Sequence, residues 1–247
     1  MAGNRENAKL VNALGAVVAV GTGRGFVVES RGHFGSRDRY VITAAHCLPF
    51  FPHCHGFSRP EGRTYEKLLA PLGKQSSVWC ESLFVDPIAD IAVLASPESE
   101  MLYEQAAAYK ALVEAATPLK IAEPRSKPIP EEPARLAELE KQMGITGQVE
   151  WVQRECPAFL LSLSNEWFSC TVWHFPNDML NIENAADAIA GGMSGSPIIA
   201  EDGSAIGVFC LGSGRPDDDR PSQGGPNPRL MGNLPGWLLN QLADGAA

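Results

Sequence analysis

The chain has 247 residues, 45% of them hydrophobic and 20% charged, with 20 basic against 29 acidic side chains for a formal net charge of −9. A chain of this length buries about 70–75% of its unfolded surface and needs no disulfide or metal staple to fold. The acidic balance, with no block of Lys and Arg, excludes a nucleic-acid surface and an anionic-membrane surface, and no stretch reaches the ~20 apolar residues of a membrane span.

With 24 Gly and 19 Pro the composition is turn-rich, which suits many short strands and points to an all-β fold. Residues 9–21, KLVNALGAVVAVG, superficially resemble a secretory leader, but Asn12 and two glycines interrupt the run. The run also flows into TGRGFVVE, a strand, turn and second strand whose removal would cost part of the fold. A cytoplasmic chain is the expectation, with secretion as the second reading. Residues 15–29 and 39–45 read as a strand pair, followed by strands over 79–85 and 91–95 with a turn at Asp86-Pro87.

The pattern changes at Ser96-Pro97-Glu98, where a capping serine, a proline at the first helical position and acidic residues announce a helix. Leu102, Ala106, Tyr109, Val113 and Ala116 then repeat at helical spacing, so this helix should run to about Ala116. A second helix is expected from Pro133 to Met143, stopped by Gly144. Residues 145–185 are again strand-like, notably 159–163 and 168–174. Strands over 197–200 and 205–211 follow, and then a short amphipathic helix over 235–242. The expected organisation is a β unit over 1–95, a helical connection over 96–144 and a second β unit with the C-terminal helix over 145–247.

Three segments carry chemistry: TAAHC (43–47), DIAVL (90–94) and AGGMSGSPII (190–199). Hydrolysis by a serine requires a base beside the hydroxyl, an acid that orients the base, and backbone donors for the oxyanion. Taken singly, a glycine-rich turn is usually only a turn, a lone His a hydrogen-bonded core residue, and an Asp after a proline turn a local cap. The order His46, Asp90, Ser194, each at a strand end or turn, makes coincidence a poor explanation of all three.

These three segments, with GTGRGFVV before the histidine strand and AIGVFCLGSG after the serine, resemble the trypsin/chymotrypsin superfamily of serine proteases. The likeness is to its bacterial branches, the high-temperature-requirement proteases and the glutamyl endopeptidases. It implies two packed antiparallel β-barrels with the active site in the cleft between them. It also implies a peptide substrate, an acyl-enzyme and no cofactor. By resemblance, Ser194 is the nucleophile, His46 the general base and Asp90 the residue that orients the imidazole. The amides of Gly192 and Ser194 form the oxyanion hole, and Ser196 is a bystander. A substrate would lie against Cys210, Leu211 and Gly212, with Ala188 and Ile189 at the pocket floor. Both are uncharged, which favours a small or medium apolar side chain.

Three features depart from the family pattern. Met193 stands where many relatives carry Asp or Asn, so activation by pairing a freed N-terminal amine is not available. Cys47 has no preceding cysteine to pair with and is a free thiol or a partner of Cys54 or Cys80. The run Arg215–Arg220 holds Asp217, Asp218 and Asp219 near the pocket lip, which would favour a basic side chain if one of them turned inward. A solvated acidic turn is the plainer reading. His53 and His55 flank Cys54, but adjacent ligands on so short a stretch do not close a tetrahedron, so no metal is expected. The alternative to a protease is a catalytically silent or partner-gated peptide-binding domain, in which the helical connection would dock a regulatory protein.

Overall fold

Short Val-, Ile- and Leu-rich runs bounded by turns dictate the first half. β1 (Val17–Val20), β2 (Gly23–Arg31), β3 (Arg37–Thr43), β4 (Thr64–Pro71), β5 (Val78–Asp86) and β6 (Ile91–Ala95) pair antiparallel in the order β1-β2-β3-β6-β5-β4. β4 also pairs with β1, so the sheet closes into a barrel without free edges. The computed structural model describes residues 9–31, 37–52, 62–123, 127–128, 154–175, 177–213 and 222–243. Within the barrel Phe26, Ile42, Tyr65, Leu69, Ile91 and Leu94 are fully buried. Residues 9–14 are helical, with Ala13 and Ala16 buried, so the leader-like stretch is built into this unit rather than forming one long strand.

The second half forms an eight-stranded sheet from β7 (Lys127–Pro128), β8 (Arg154–Leu161), β9 (Trp167–His174), β10 (Met179–Ala185), β11 (Pro197–Ala200), β12 (Ala205–Val208), β13 (Gly212–Ser213) and β14 (Ser222–Pro228). Its path is β12-β11-β8-β9-β10-β14-β13, with β7 against β8. The fold is therefore mostly β, a closed barrel beside a half-barrel. The path of the second sheet ends at β12 and β13, and a side chain helps to hold the segment between them. The buried Asn227 carboxamide oxygen accepts the N–H groups of Cys210 at 2.7 Å and Leu211 at 3.3 Å.

The helix expected from Ser96 begins later, as a 3₁₀ turn at Glu100–Leu102 leading into Tyr103–Ala115. The Ser96 hydroxyl caps no amide; it points to the Pro97 carbonyl at 3.5 Å, while Glu98 pairs with Arg63 across the barrel at 2.9 Å. The chain stays non-helical through residue 99. The helix docks through buried Tyr109 and Val113, and the Tyr109 hydroxyl reaches the carbonyls of Arg39 and Leu94 at 3.1 and 3.0 Å. Arg39 donates to the Val113, Glu114 and Ala116 carbonyls at 2.8, 3.2 and 3.1 Å, which satisfies the orphan acceptors of the last turn. The second expected helix, 133–143, lies outside the described residues.

The crossover is stitched to both sheets: Leu119 N–H donates to Val27 O at 2.8 Å, and Ala205 N–H donates to Lys120 O at 2.8 Å. The C-terminal helix Gly236–Ala243 returns to pack on β2, burying Leu238. These crossings hold the two sheets together and place the ends of β3, β6 and β11 side by side.

Candidate active site

β3 ends at Thr43, and buried Ala44 and Ala45 anchor one 3₁₀ turn, Ala45–Cys47, that turns His46 outward with 47% of its side chain exposed. Asp90 ends the turn before β6. There the Asp86 Oδ1 accepts the Ile88 and Ala89 N–H groups at 2.9 and 3.0 Å. Asp90 itself sits at φ +60°, a left-handed conformation that Asp tolerates better than most side chains. Its carbonyl is held from both sheets, by Ala45 N–H at 3.2 Å and the Cys210 thiol at 3.2 Å.

The Asp90 carboxylate grips His46 twice: Oδ2 takes the ring Nδ1–H at 2.7 Å and Oδ1 takes the backbone N–H at 2.9 Å. A carboxylate can only accept, so the proton of a neutral ring resides on Nδ1 and the Nε2 lone pair faces outward as a base.

Ser194 lies between two left-handed glycines, Gly192 at φ +91° and Gly195 at φ +83°. A side chain on Gly195 would collide with the Arg24 carbonyl and with Thr43 Oγ1, so the turn closes against β2 and β3 only if residue 195 is glycine. The Ser194 carbonyl accepts Arg24 N–H at 2.7 Å, and Gly195 N–H donates to Phe209 O at 2.6 Å. Ser194 Oγ donates to the Cys210 carbonyl at 3.3 Å, and no hydrogen bond joins it to His46 among the described residues. The N–H groups of Gly192 and Ser194 likewise have no acceptor among the described residues.

Met193 explains how this loop stands without an acidic anchor. Its side chain is 1% exposed within the core of the second sheet, and its Sδ accepts the Ala190 N–H at 3.3 Å. The anchor is apolar packing plus one weak sulfur acceptor. Ser196 is fully buried, and its hydroxyl has no partner among the described residues.

His46, Asp90 and Ser194 line one cavity of about 530 Å³ together with Ile189, Cys210 and Gly212; Leu211 borders it as well. Ala188, expected at the floor, is exposed and does not line the cavity. Ile189 does line it. Its Cγ2 stands 2.6 Å from where a Cβ on Gly212 would be, and its Cδ1 3.3 Å from one on Gly224. Phe209 Cε2 is 3.2 Å from the same Gly224 position, so Ile189 and Phe209 cover the face of the paired Gly212 and Gly224 on β13 and β14. Ile88, 94% exposed, and Met179 also border the cavity, and neither was legible in the sequence because each comes from a turn or strand end with no motif.

The five described cysteines, Cys47, Cys80, Cys156, Cys170 and Cys210, are free and buried. Burial raises the Cys47 thiol to about 11 and the Cys210 thiol well above its ordinary value, so both stay protonated beside the site. Among the described residues no three His, Cys, Asp or Glu side chains are grouped to hold a metal; His53–His55 and the Arg215–Arg220 run lie outside them.

No curated protein matches the chain. Among solved structures it is similar to the Rv3671c protease in an inactive form, at 15% identity and a TM-score of 0.46, over 98% of this chain and 94% of that one. It is similar also to a serine-to-alanine mutant of Rv3671c from M. tuberculosis H37Rv, again an inactive form, at 17% identity and a TM-score of 0.44, over 98% and 92%. The family model for the trypsin-like peptidase domain matches residues 21–208, a span that holds His46, Asp90 and Ser194 and runs from β2 to the end of β12. The chain belongs to the trypsin-like peptidase family and is a trypsin-like serine protease.

Proposed function

We propose that the chain is an endopeptidase that works through an acyl-enzyme on Ser194 and prefers a small apolar side chain before the scissile bond. His46 Nε2 takes the Ser194 Oγ proton as the oxygen attacks the carbonyl carbon, and the oxyanion enters the amides of Gly192 and Ser194. The imidazolium, stabilised by Asp90, then protonates the leaving amine. Water repeats the sequence on the ester and frees Ser194. The observation that carries this reading is the double grip of Asp90 on His46 beside a serine whose neighbouring amides have no acceptor among the described residues. Ile189, lying over the Gly212–Gly224 pair, supports the preference for small side chains, since it occupies space that a long or aromatic one would take there.

Labelling with a fluorophosphonate probe tests the chemistry. Wild type and Ser196→Ala should label and Ser194→Ala should not; labelling that survives Ser194→Ala sinks the assignment. A peptide-library profile tests specificity, and a strong preference for Lys or Arg before the cleaved bond would overturn the role given to Ile189.

One observation favours a partner-gated version: the Ser194 hydroxyl is engaged by the Cys210 carbonyl rather than by His46. Labelling that appears only with a peptide ligand or partner present would select that version.

A further inference from the structure

Arg24 is 5% exposed at the junction of the two sheets, and no carboxylate pairs with it among the described residues. Its guanidinium instead donates to three acceptors at the β8–β9 turn: Leu161 O at 2.9 Å, Ser162 O at 2.9 Å and Asn165 Oδ1 at 3.2 Å. Such a cation is retained against a desolvation cost that an apolar side chain of similar volume would avoid. Stability alone is therefore a poor reason for it.

The geometry at both ends of the residue supplies another. The Arg24 backbone N–H holds the Ser194 carbonyl at 2.7 Å, and its carbonyl, itself bonded by Thr43 Oγ1 at 2.6 Å, is the surface against which Gly195 closes. The turn gripped by the side chain is self-braced, with Ser162 N–H on Glu166 O at 2.9 Å and Asn165 N–H on Ser162 O at 3.1 Å. Its tip residue, Leu163, lays Cδ2 3.4 Å from where a Cβ on Gly192 would stand, and the Thr22 carbonyl flanks the same point at 3.8 Å. One residue thus touches the nucleophile's backbone directly and the oxyanion loop through Leu163.

We propose that Arg24 is a positioning residue that fixes the Gly192 and Ser194 amides relative to the Ser194 hydroxyl by bracing the β8–β9 turn against the loop. This deepens the proposed function and rests on it. Lysine cannot substitute fully, because a single ammonium cannot span the forked pair of carbonyls that a planar guanidinium reaches.

The test compares Arg24→Met, Arg24→Lys, Leu163→Ala and the Arg24→Met/Leu163→Ala double variant. Each is titrated with a fluorophosphonate so that kcat is expressed per labelled site. A displaced donor should lower kcat about 10–100-fold with KM unchanged, Lys should fall between wild type and Met, and the double variant should be no worse than Arg24→Met. A lowered Tm with wild-type kcat per labelled site, or losses that multiply in the double variant, would overturn the proposal. Leu163→Ala changes a half-exposed turn residue and tests the contact even if Arg24→Met fails to fold. Amide exchange at Met193 and Gly195 is read in parallel and should quicken in Arg24→Lys and Leu163→Ala relative to Phe26; unchanged exchange also overturns it. If wild type neither labels nor cleaves peptides, the functional reading falls on its own, and the exchange data still judge the brace.

Discussion

Asp90 holds His46 by two atoms of one carboxylate, Oδ2 on the ring and Oδ1 on the backbone N–H. The second bond fixes the turn that carries the ring, so the acid orients the base and its scaffold together. In Asp90→Asn the carboxamide must present its NH₂ to one of these donors, and the ring flips to the unproductive tautomer. Turnover should fall by about 10⁴-fold with little change in Tm, measured as kcat on a peptide ester; a loss below about tenfold would mean that His46 is not working as the base.

Ile189 is the residue that should set pocket depth. Ile189→Gly opens the slot over the Gly212–Gly224 pair and should move preference from small side chains towards Leu and Phe. The change should be roughly 10–200-fold in relative kcat/KM, the range for hydrophobic pockets that gain or lose about a methylene. An unchanged library profile would count against the slot as the specificity pocket.

Met193 should tolerate Leu and reject Asp. Leucine keeps the packing and loses only the sulfur acceptor, at under about 1.5 kcal/mol. Aspartate would put a carboxylate into the second core, whose described members, Leu160 and Ile198 among them, are hydrophobic. Denaturant midpoints for the two variants make the comparison, and a stable Met193→Asp protein would reveal a hidden cationic partner.

Ser196→Ala should leave activity intact and raise Tm slightly. The hydroxyl is buried without a partner among the described residues, and removing such a group relieves a penalty of about 1–3 kcal/mol. A clear fall in Tm would show that the hydroxyl is bonded in solution.

Stability should decline on the alkaline side. Cys47 and Cys156, both raised by burial from 9.0 to about 11, ionise more easily unfolded than folded. Their contribution is complete below pH 9 and is lost as pH rises through about 11, on the order of 2 kcal/mol each. Tm measured from pH 8 to 11 should fall, and the slope should flatten in Cys156→Ala.

Much of this was legible in the sequence because the decisive residues sit next to structural punctuation. Thr43 ends a strand and Asp86-Pro87 makes a turn, and the glycines at 192 and 195 mark left-handed positions. β14 was not legible, since SQGGPNP reads as loop; it pairs as a strand because its glycines let β13 and Ile189 approach closely. The helix starts later than the capping signal implies: residues 96–99 stay non-helical, with the Ser96 hydroxyl on the Pro97 carbonyl and Glu98 paired with Arg63, contacts that no local capping rule contains. Arg24 looked like one residue of a glycine-rich turn, and only the fold shows that its side chain crosses to the other sheet.

The hydrogen bond from β2 to the Ser194 carbonyl also makes the seating of the nucleophile depend on the first half of the chain. A fragment ending at Glu123 would carry the base and its acid, and one beginning at Arg154 would carry the nucleophile without the strand that seats it. Such a pair would serve as a complementation reporter: neither half should hydrolyse a peptide alone, and recovered turnover would measure their reassociation.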